Sequence, residues 1–302
     1  MTSLTAPRFF VTGATGQLGR LVIRALSRSA PATQIIAGVR RTDSDAARDL
    51  AALGIELRIA DYARPETLAT AFEGVDRLLL ISSSEVGRRT TQHRNVIEAA
   101  TRAGVGLIAY TSLLRADVSP LALAQEHRET EAILRASGTP FALLRNGWYT
   151  ENYAASIAPA LPHGVFIGAA GEGRIASAAR ADYAEAAACV LTGADQAGRI
   201  YELAGDEAYT LAEFAAAIGE ASGRRIVYRN LAEADFAGAL AGAGLPEEFA
   251  ALLADSDAGA AKGALFDSGL QLRALIGRPT TPYEATIAQT CAALAAQSGA
   301  EQ

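Results

Sequence analysis

Residues 8–19 read Arg8-Phe9-Phe10-Val11-Thr12-Gly13-Ala14-Thr15-Gly16-Gln17-Leu18-Gly19, an apolar run that passes straight into three evenly spaced glycines and then an amphipathic stretch. The spacing has a physical reading. The first glycine permits a tight turn, the second lets backbone approach a pyrophosphate, and the third lets a helix pack against the strand. Free N–H groups at the start of that helix, with its dipole, attract phosphate. Standing between a strand and a helix at the head of a βαβ series, the turn predicts a dinucleotide site on Gly13, Ala14, Thr15, Gly16, Gln17 and Leu18.

Outward from the turn, short apolar runs alternate with longer amphipathic ones up to about residue 150. Six strands are predicted, at 8–12, 34–39, 56–60, 77–81, 106–111 and 141–145, with helices at 17–27, 65–72, 92–103 and 121–136 among the segments between them. Right-handed crossovers wind such a series into a doubly wound parallel sheet. Beyond 150 the pattern loosens: a glycine-broken stretch at 166–173, a helix at 181–191, a strand at 200–203, then helices at 211–220, 233–240, 247–253 and 282–296. The expectation is an α/β chain: a Rossmann-type sheet over residues 1–150 and a smaller, mostly helical substrate lobe over 151–302, some of whose elements return to the sheet.

Composition narrows the class. No apolar run approaches the roughly eighteen residues that span a bilayer, and the first ten residues lack the pattern of an export leader, so a cytoplasmic protein with no membrane partner is expected. Cys189 and Cys291 are far apart, and His93, His127 and His163 lack ligand spacing, which predicts neither disulfide framework nor metal. A net charge of −6 gives no footprint for nucleic acid.

The end of the second strand selects the dinucleotide. An acid there would bond the ribose 2′-hydroxyl of NAD, whereas an arginine suits the 2′-phosphate of NADP. The chain has Val39-Arg40-Arg41, with Asp43 and Asp45 a few residues late for the NAD role, so NADPH is expected, with Arg40 on the phosphate. The other strand ends carry Asp61-Tyr62, Ser82-Ser83-Ser84, Thr111-Ser112 and Asn146-Gly147, small and polar residues that together describe a groove. Asp61 reads either as a cap or as an adenine contact.

The glycine turn resembles that of the short-chain dehydrogenases, which reduce carbonyls with a tyrosine four residues before a lysine. Here Lys262 is the only lysine and Ala258 stands four before it, so the pair is absent; His127 and Glu131 occupy the corresponding helix. His127 reads first as a helix-surface histidine, with an acid role as the alternative. A ketone would suffer from losing the acid, because its reduction yields a strongly basic alkoxide. A quinone would not, since its product oxyanion has roughly phenolic basicity, with a pKa of about 10, and water can protonate it.

More specific stretches are Leu-Leu-Leu-Ile-Ser-Ser-Ser-Glu-Val-Gly at 78–87, Gln92-His93-Arg94-Asn95-Val96-Ile97, Tyr110-Thr111-Ser112-Leu113-Leu114 and Arg145-Asn146-Gly147-Trp148-Tyr149. With Val165-Phe166-Ile167-Gly168, Arg180-Ala181-Asp182-Tyr183 and Ala254-Asp255-Ser256-Asp257, they make nearly the whole chain resemble the bacterial NADPH-dependent quinone oxidoreductases of type 2, atypical short-chain dehydrogenases related to the NmrA regulators. Only the loop 41–49 matches poorly. The resemblance implies flavin-free, two-electron reduction of a small-molecule quinone by NADPH, and a homodimer. It places cofactor contacts on Ser82, Ser83 and Ser84 and on Gly147, Trp148, Tyr149, Thr150, Glu151 and Asn152. Trp148 reads first as packing, while Tyr149, Asn152 and Tyr153 read equally as contacts to the ring or acceptor and as structural hydrogen-bonding residues; no residue is assigned as acid or base. Two rivals stay open: an NmrA-like NADP(H)-binding sensor without turnover, and a reductase of another activated carbonyl.

Overall fold

The computed structural model describes residues 6–300, so the opening residues 1–5, read above for a leader, lie outside the described part. The first half runs β1 (Phe9–Val11), α1 (Gln17–Leu26), β2 (Ile35–Val39), α2 (Asp45–Ala52), β3 (Glu56–Ile59), α3 (Pro65–Ala71), β4 (Arg77–Leu80), α4 (Arg89–Arg102), β5 (Leu107–Leu113), α5 (Ala124–Ala136) and β6 (Phe141–Asn146). These match the expected alternation and add α2, which Ser44 caps by accepting from the Ala47 N–H. The second half runs α6 (Thr150–Ala154), α7 (Ile157–His163), β7 (Val165–Gly168), α8 (Arg180–Thr192), β8 (Ile200–Leu203), α9 (Leu211–Ser222), β9 (Val227–Asn230), α10 (Glu233–Gly242), α11 (Glu247–Ala260), α12 (Gln271–Ile276) and α13 (Tyr283–Ala300).

Seven strands form one sheet in the order β3-β2-β1-β4-β5-β6-β8. The pairings of β1 with β2 and β4, of β2 with β3, and of β5 with β4 and β6 are parallel, with Phe9 opposite both Ile35 and Arg77. The order reverses between β1 and β4, the place where an open sheet of this kind leaves a crevice beyond its strand ends. β7 and β9 pair separately, also parallel.

The chain divides into two compact units. The first comprises the chain to Ala116, Gln125–Asn146 and Ala181–Tyr201; the second comprises Asp117–Ala124, Gly147–Arg180 and everything from Glu202 onward. In the first unit, Phe10, Ile36, Leu68, Leu78, Ile108 and Leu143 are among the residues of one core that covers the sheet. Burial of such side chains, each contributing about 1.5 to 3 kcal/mol, drives its assembly. In the second unit Phe236, Leu240, Ala250 and Ala254 join α10 to α11. Aromatic rings there gather on Phe214, which has Tyr153, Phe166 and Tyr209 at 5.4–5.8 Å between centroids. Among the described residues, no helix is long and apolar enough to cross a membrane.

The start of α1 packs without slack against the glycine turn. A Cβ on Gly19 would run into the Gly13 carbonyl oxygen and stand 2.7 Å from Ala14 Cα. Both obstacles are backbone, so neither can swing aside. Gly19→Ala is expected to cost about 1–3 kcal/mol of stability, the usual range for overpacking; urea unfolding reads it, and a midpoint equal to the parent's would show that the turn has slack.

Candidate functional site

The glycine turn uses two of its N–H groups for its own shape and leaves the helix end that follows it without a side-chain cap. Gly13 adopts φ +57°, which its missing Cβ permits; the Gly16 N–H closes the turn on the Gly13 carbonyl at 2.9 Å, and the Ala14 N–H reaches the Gly38 carbonyl on β2 at 3.0 Å. Gly16 is the N-cap of α1, yet no side chain caps the helix and no acid stands in its first turn. The positive end of the helix therefore faces a cavity of about 550 Å³, whose lining includes Gly13, Thr15, Gly16, Gln17 and Leu18. Ala14, assigned with them from the sequence, is buried beneath the turn.

Arg40 lines the same cavity, its side chain is 77% exposed, and it approaches Glu85, another lining residue, at 4.0 Å. Its neighbour Arg41 is held by Asp43 through two hydrogen bonds, at 2.7 and 2.8 Å. Asp45 pairs with Arg48, which also donates to the Asp43 carbonyl. In the loop that matched poorly, Asp43 and Asp45, the acids nearest the strand end, are thus committed to Arg41 and Arg48, and Arg40 is left facing the cavity. Asp61 also lines it, with Oδ1 accepting from the Ala63 N–H at 3.0 Å, so the residue caps its own turn while facing the groove.

Ser82, Ser83 and Ser84 form the far wall. The Ser82 N–H donates to Thr111 Oγ1 at 2.8 Å. Behind them lies a buried polar layer. The Tyr110 hydroxyl meets His127 Nδ1 at 2.7 Å, and both residues are enclosed. His127 is therefore no helix-surface residue, contrary to the expectation. Burial, reinforced by Arg89 and His93, holds its pKa well below that of an ordinary histidine, and burial raises that of Tyr110. His93 is held down to about 3, by burial first and then by Arg89. Glu131, also enclosed, takes two hydrogen bonds from Arg145 at 2.8 and 2.9 Å and one from Ser112 at 2.7 Å. Burial pushes its carboxyl up, but the bonds from Arg145 and Ser112 outweigh this and the net shift is downward. The two residues at the tyrosine and lysine positions are thus a neutral imidazole and an ionised carboxylate.

The remaining sequence candidates belong to the second unit. Gly147 follows β6 directly, and its N–H donates to the Leu203 carbonyl at 2.7 Å. Trp148 is buried, 6.1 Å from the Tyr153 ring, in keeping with packing. Thr150 is enclosed and bonded to Ser177 at 2.8 Å. The Tyr153 hydroxyl donates to Asp257 Oδ1 at 2.8 Å, while the Ala169 N–H holds Oδ2 at 2.8 Å, so Tyr153 is structurally engaged rather than presented outward. Tyr149, Glu151 and Asn152 instead converge on a residue that the sequence reading did not single out. The Arg180 guanidinium stands 4.8 Å over the Tyr149 ring and donates to Asn152 Oδ1 at 3.3 Å, and its backbone N–H is shared by the two Glu151 carboxylate oxygens. The quoted stretch Arg180-Ala181-Asp182-Tyr183 contained the signal, but nothing local linked it to residues about thirty positions earlier.

A reversing parallel sheet with an uncapped glycine turn and a cationic corner defines a dinucleotide-binding protein of the doubly wound class. A family model described as NAD(P)H-binding matches residues 13–196. Quinone oxidoreductase 2 of Escherichia coli strain K12 is 59% identical over 271 residues, covering 90% of this chain and 94% of that protein. A crystal structure of the E. coli NADPH-dependent quinone oxidoreductase complexed with NADPH superposes with a TM-score of 0.90 at 57% identity, covering 93% of this chain and 99% of the other. The triphenylmethane reductase of a Citrobacter species, solved with NADP(H), gives 0.89 at 37% identity, covering 93% and 99%. The chain belongs to the NAD(P)H-binding family, among the type 2 quinone oxidoreductases.

The buried histidine has a consequence for stability. His93 is depressed from 6.5 to about 3, so its contribution is fully present above the unfolded value and is lost as pH falls from there toward the folded one. His127 acts in the same direction. The thermal midpoint is expected to fall between about pH 7 and pH 5, and to fall less steeply in His93→Gln; an unchanged slope in that variant would mean that His93 titrates normally in the fold.

Proposed function

We infer that this chain is an enzyme that reduces quinones to hydroquinones by two-electron transfer from NADPH, and that it does so without flavin. The observation that carries the reading is the fit of the first-unit groove to a phosphorylated dinucleotide, in a chain 59% identical to quinone oxidoreductase 2. When bound, NADPH supplies the hydride. The chain's own residues bind and orient. Gly13, Thr15, Gln17 and Leu18 would offer backbone N–H groups to the pyrophosphate, Gly16 would let the backbone come close to it, Arg40 would meet the 2′-phosphate, and Ser82 and Ser84 line the wall beyond. In the second unit Arg180 fixes Tyr149 and Asn152, the residues to which the family resemblance gives a role toward the nicotinamide or the acceptor.

No acid is assigned. His127 is kept neutral with Nδ1 on Tyr110, and Glu131 is fixed as a carboxylate by Arg145, so neither replaces the proton-donating pair of a ketone reductase. A quinone tolerates that loss, because its reduced oxyanion takes a proton from water and positioning provides the main acceleration. Within this reading the enzyme works in the cytoplasm, in keeping with its two free cysteines, and pairs with a second copy of itself as in the family resemblance.

Purified flavin-free protein is expected to oxidise NADPH only when a benzoquinone or naphthoquinone is added. Tight NADPH binding without turnover across such a panel would favour the NADP(H)-sensing alternative, and turnover confined to other conjugated carbonyls would redirect the acceptor. Arg40→Ala is expected to weaken NADPH by about 1.5 to 3 kcal/mol, the scale of a charged hydrogen bond, and to leave NADH nearly unchanged; calorimetric titration reads both, and equal losses would contradict the phosphate role.

A further inference from the structure

The stretch Gln92-His93-Arg94-Asn95 has no part in the chemistry above, yet its side chains grip the walls of the cofactor groove. Ser83, on one wall, has every polar group engaged by α4. Its N–H donates to His93 Nε2 at 2.9 Å, its hydroxyl donates to Gln92 Oε1 at 2.5 Å, and its carbonyl accepts from Arg89 Nε at 2.7 Å. Positions 89, 92 and 93 lie three and four residues apart, so one face of the helix meets one residue of the loop. Two residues further on, Asn95 Nδ2 donates to the carbonyl of Tyr62, on another wall, at 2.9 Å. The Tyr62 hydroxyl in turn lies 2.5 Å from Thr12 Oγ1 and 2.8 Å from the Ile81 carbonyl, which ties that wall to the strand ends that precede the glycine turn and the serines.

The bonds fix a tautomer as well as a position. Because the Ser83 N–H requires an acceptor, His93 Nε2 is unprotonated and Nδ1 carries the hydrogen, which it donates to Thr130 Oγ1 at 2.9 Å; the Thr130 hydroxyl donates in turn to the Glu126 carbonyl at 2.8 Å. An imidazolium could not accept from Ser83, and a His93 pKa held at about 3 is consistent with that demand. Ser83 itself stays on the cavity wall with its N–H, hydroxyl and carbonyl engaged by α4.

We propose that Gln92, His93 and Asn95 are positioning residues of the cofactor groove: they hold Ser83 and Tyr62 on two of its walls, so that the groove stands at binding width before the dinucleotide enters. A preformed groove avoids the cost of ordering loops on binding, and affinity is where that saving is read. The proposal rests on the groove being the NADPH site.

The test is fluorescence titration of full-length protein with NADPH, without any acceptor. His93→Ala is expected to raise the Kd about tenfold, the scale of one hydrogen bond lost at a positioning contact. His93→Gln, which can place an amide oxygen where Nε2 stands, is expected to recover the Kd to within about threefold of the parent. Asn95→Ala, at a partly exposed position, is expected to raise the Kd by several-fold and keeps the test available if His93→Ala does not fold. Parent-like affinity in Asn95→Ala, or a Kd for His93→Gln as poor as that of His93→Ala, overturns the proposal, because a merely structural role would lower thermal midpoints without this pattern of affinity and rescue. Since no quinone is present, the titration decides on these residues whether or not quinones are reduced; a parent protein that does not bind NADPH overturns the cofactor reading and the proposal together.

Discussion

The close packing of the first turn of α1 against the backbone of the glycine turn is the constraint on which the groove depends. Gly19 has no room for a Cβ beside Gly13 and Ala14, and that contact brings the N-terminus of α1 to the mouth of the crevice. With no side-chain cap and no acid in its first turn, the helix presents N–H groups and a positive dipole end to whatever enters. A capping aspartate there would satisfy the helix and weaken the site. Binding capacity is thus obtained by leaving a helix end incomplete.

A second constraint is polar and buried. His93, Tyr110, His127, Thr130, Glu131 and Arg145 are enclosed in the first unit, where each must find partners or lose free energy. His93 accepts from the Ser83 N–H, and the buried Thr111 of β5 and Gln92 of α4 hold Ser82 and the Ser83 hydroxyl beside it, so buried polar groups that cost solvation also fix the wall of the groove. It also excludes an obvious chemistry. A neutral imidazole bonded to Tyr110 and a carboxylate locked to Arg145 stand where a ketone reductase would hold its tyrosine and lysine, which leaves the acceptor to be one whose reduced form does not need a strong acid.

Much of the first unit was legible because β1, β2, β4, β5 and β6 are apolar runs buried over most of their length that pass into small or polar residues. The glycine turn and Arg40 were readable for the same reason: their roles follow from position relative to a strand end. His127 was misread as a surface residue because periodicity looks for apolar residues on the buried face. On α5 the buried positions 124, 127, 130, 131 and 134 keep helical spacing, but three of the five are His127, Thr130 and Glu131. The regular stripe from Ala124 to Leu134 was the signal available. Arg180 and the pairing of β7 with β9 were beyond local reading, since each depends on contacts made across long stretches of chain, and β9 is short and largely exposed.

The proposed function turns on direct hydride transfer from a dinucleotide held in the groove to a quinone, with no flavin between them. The measurement that meets this most directly is single-turnover oxidation of NADPH carrying deuterium at the transferring C4 position, by flavin-free protein mixed with a naphthoquinone. One NADPH consumed per quinone reduced, with a slower transfer for the deuterated cofactor, is the expected result. Oxidation that appears only when flavin is supplied would contradict it.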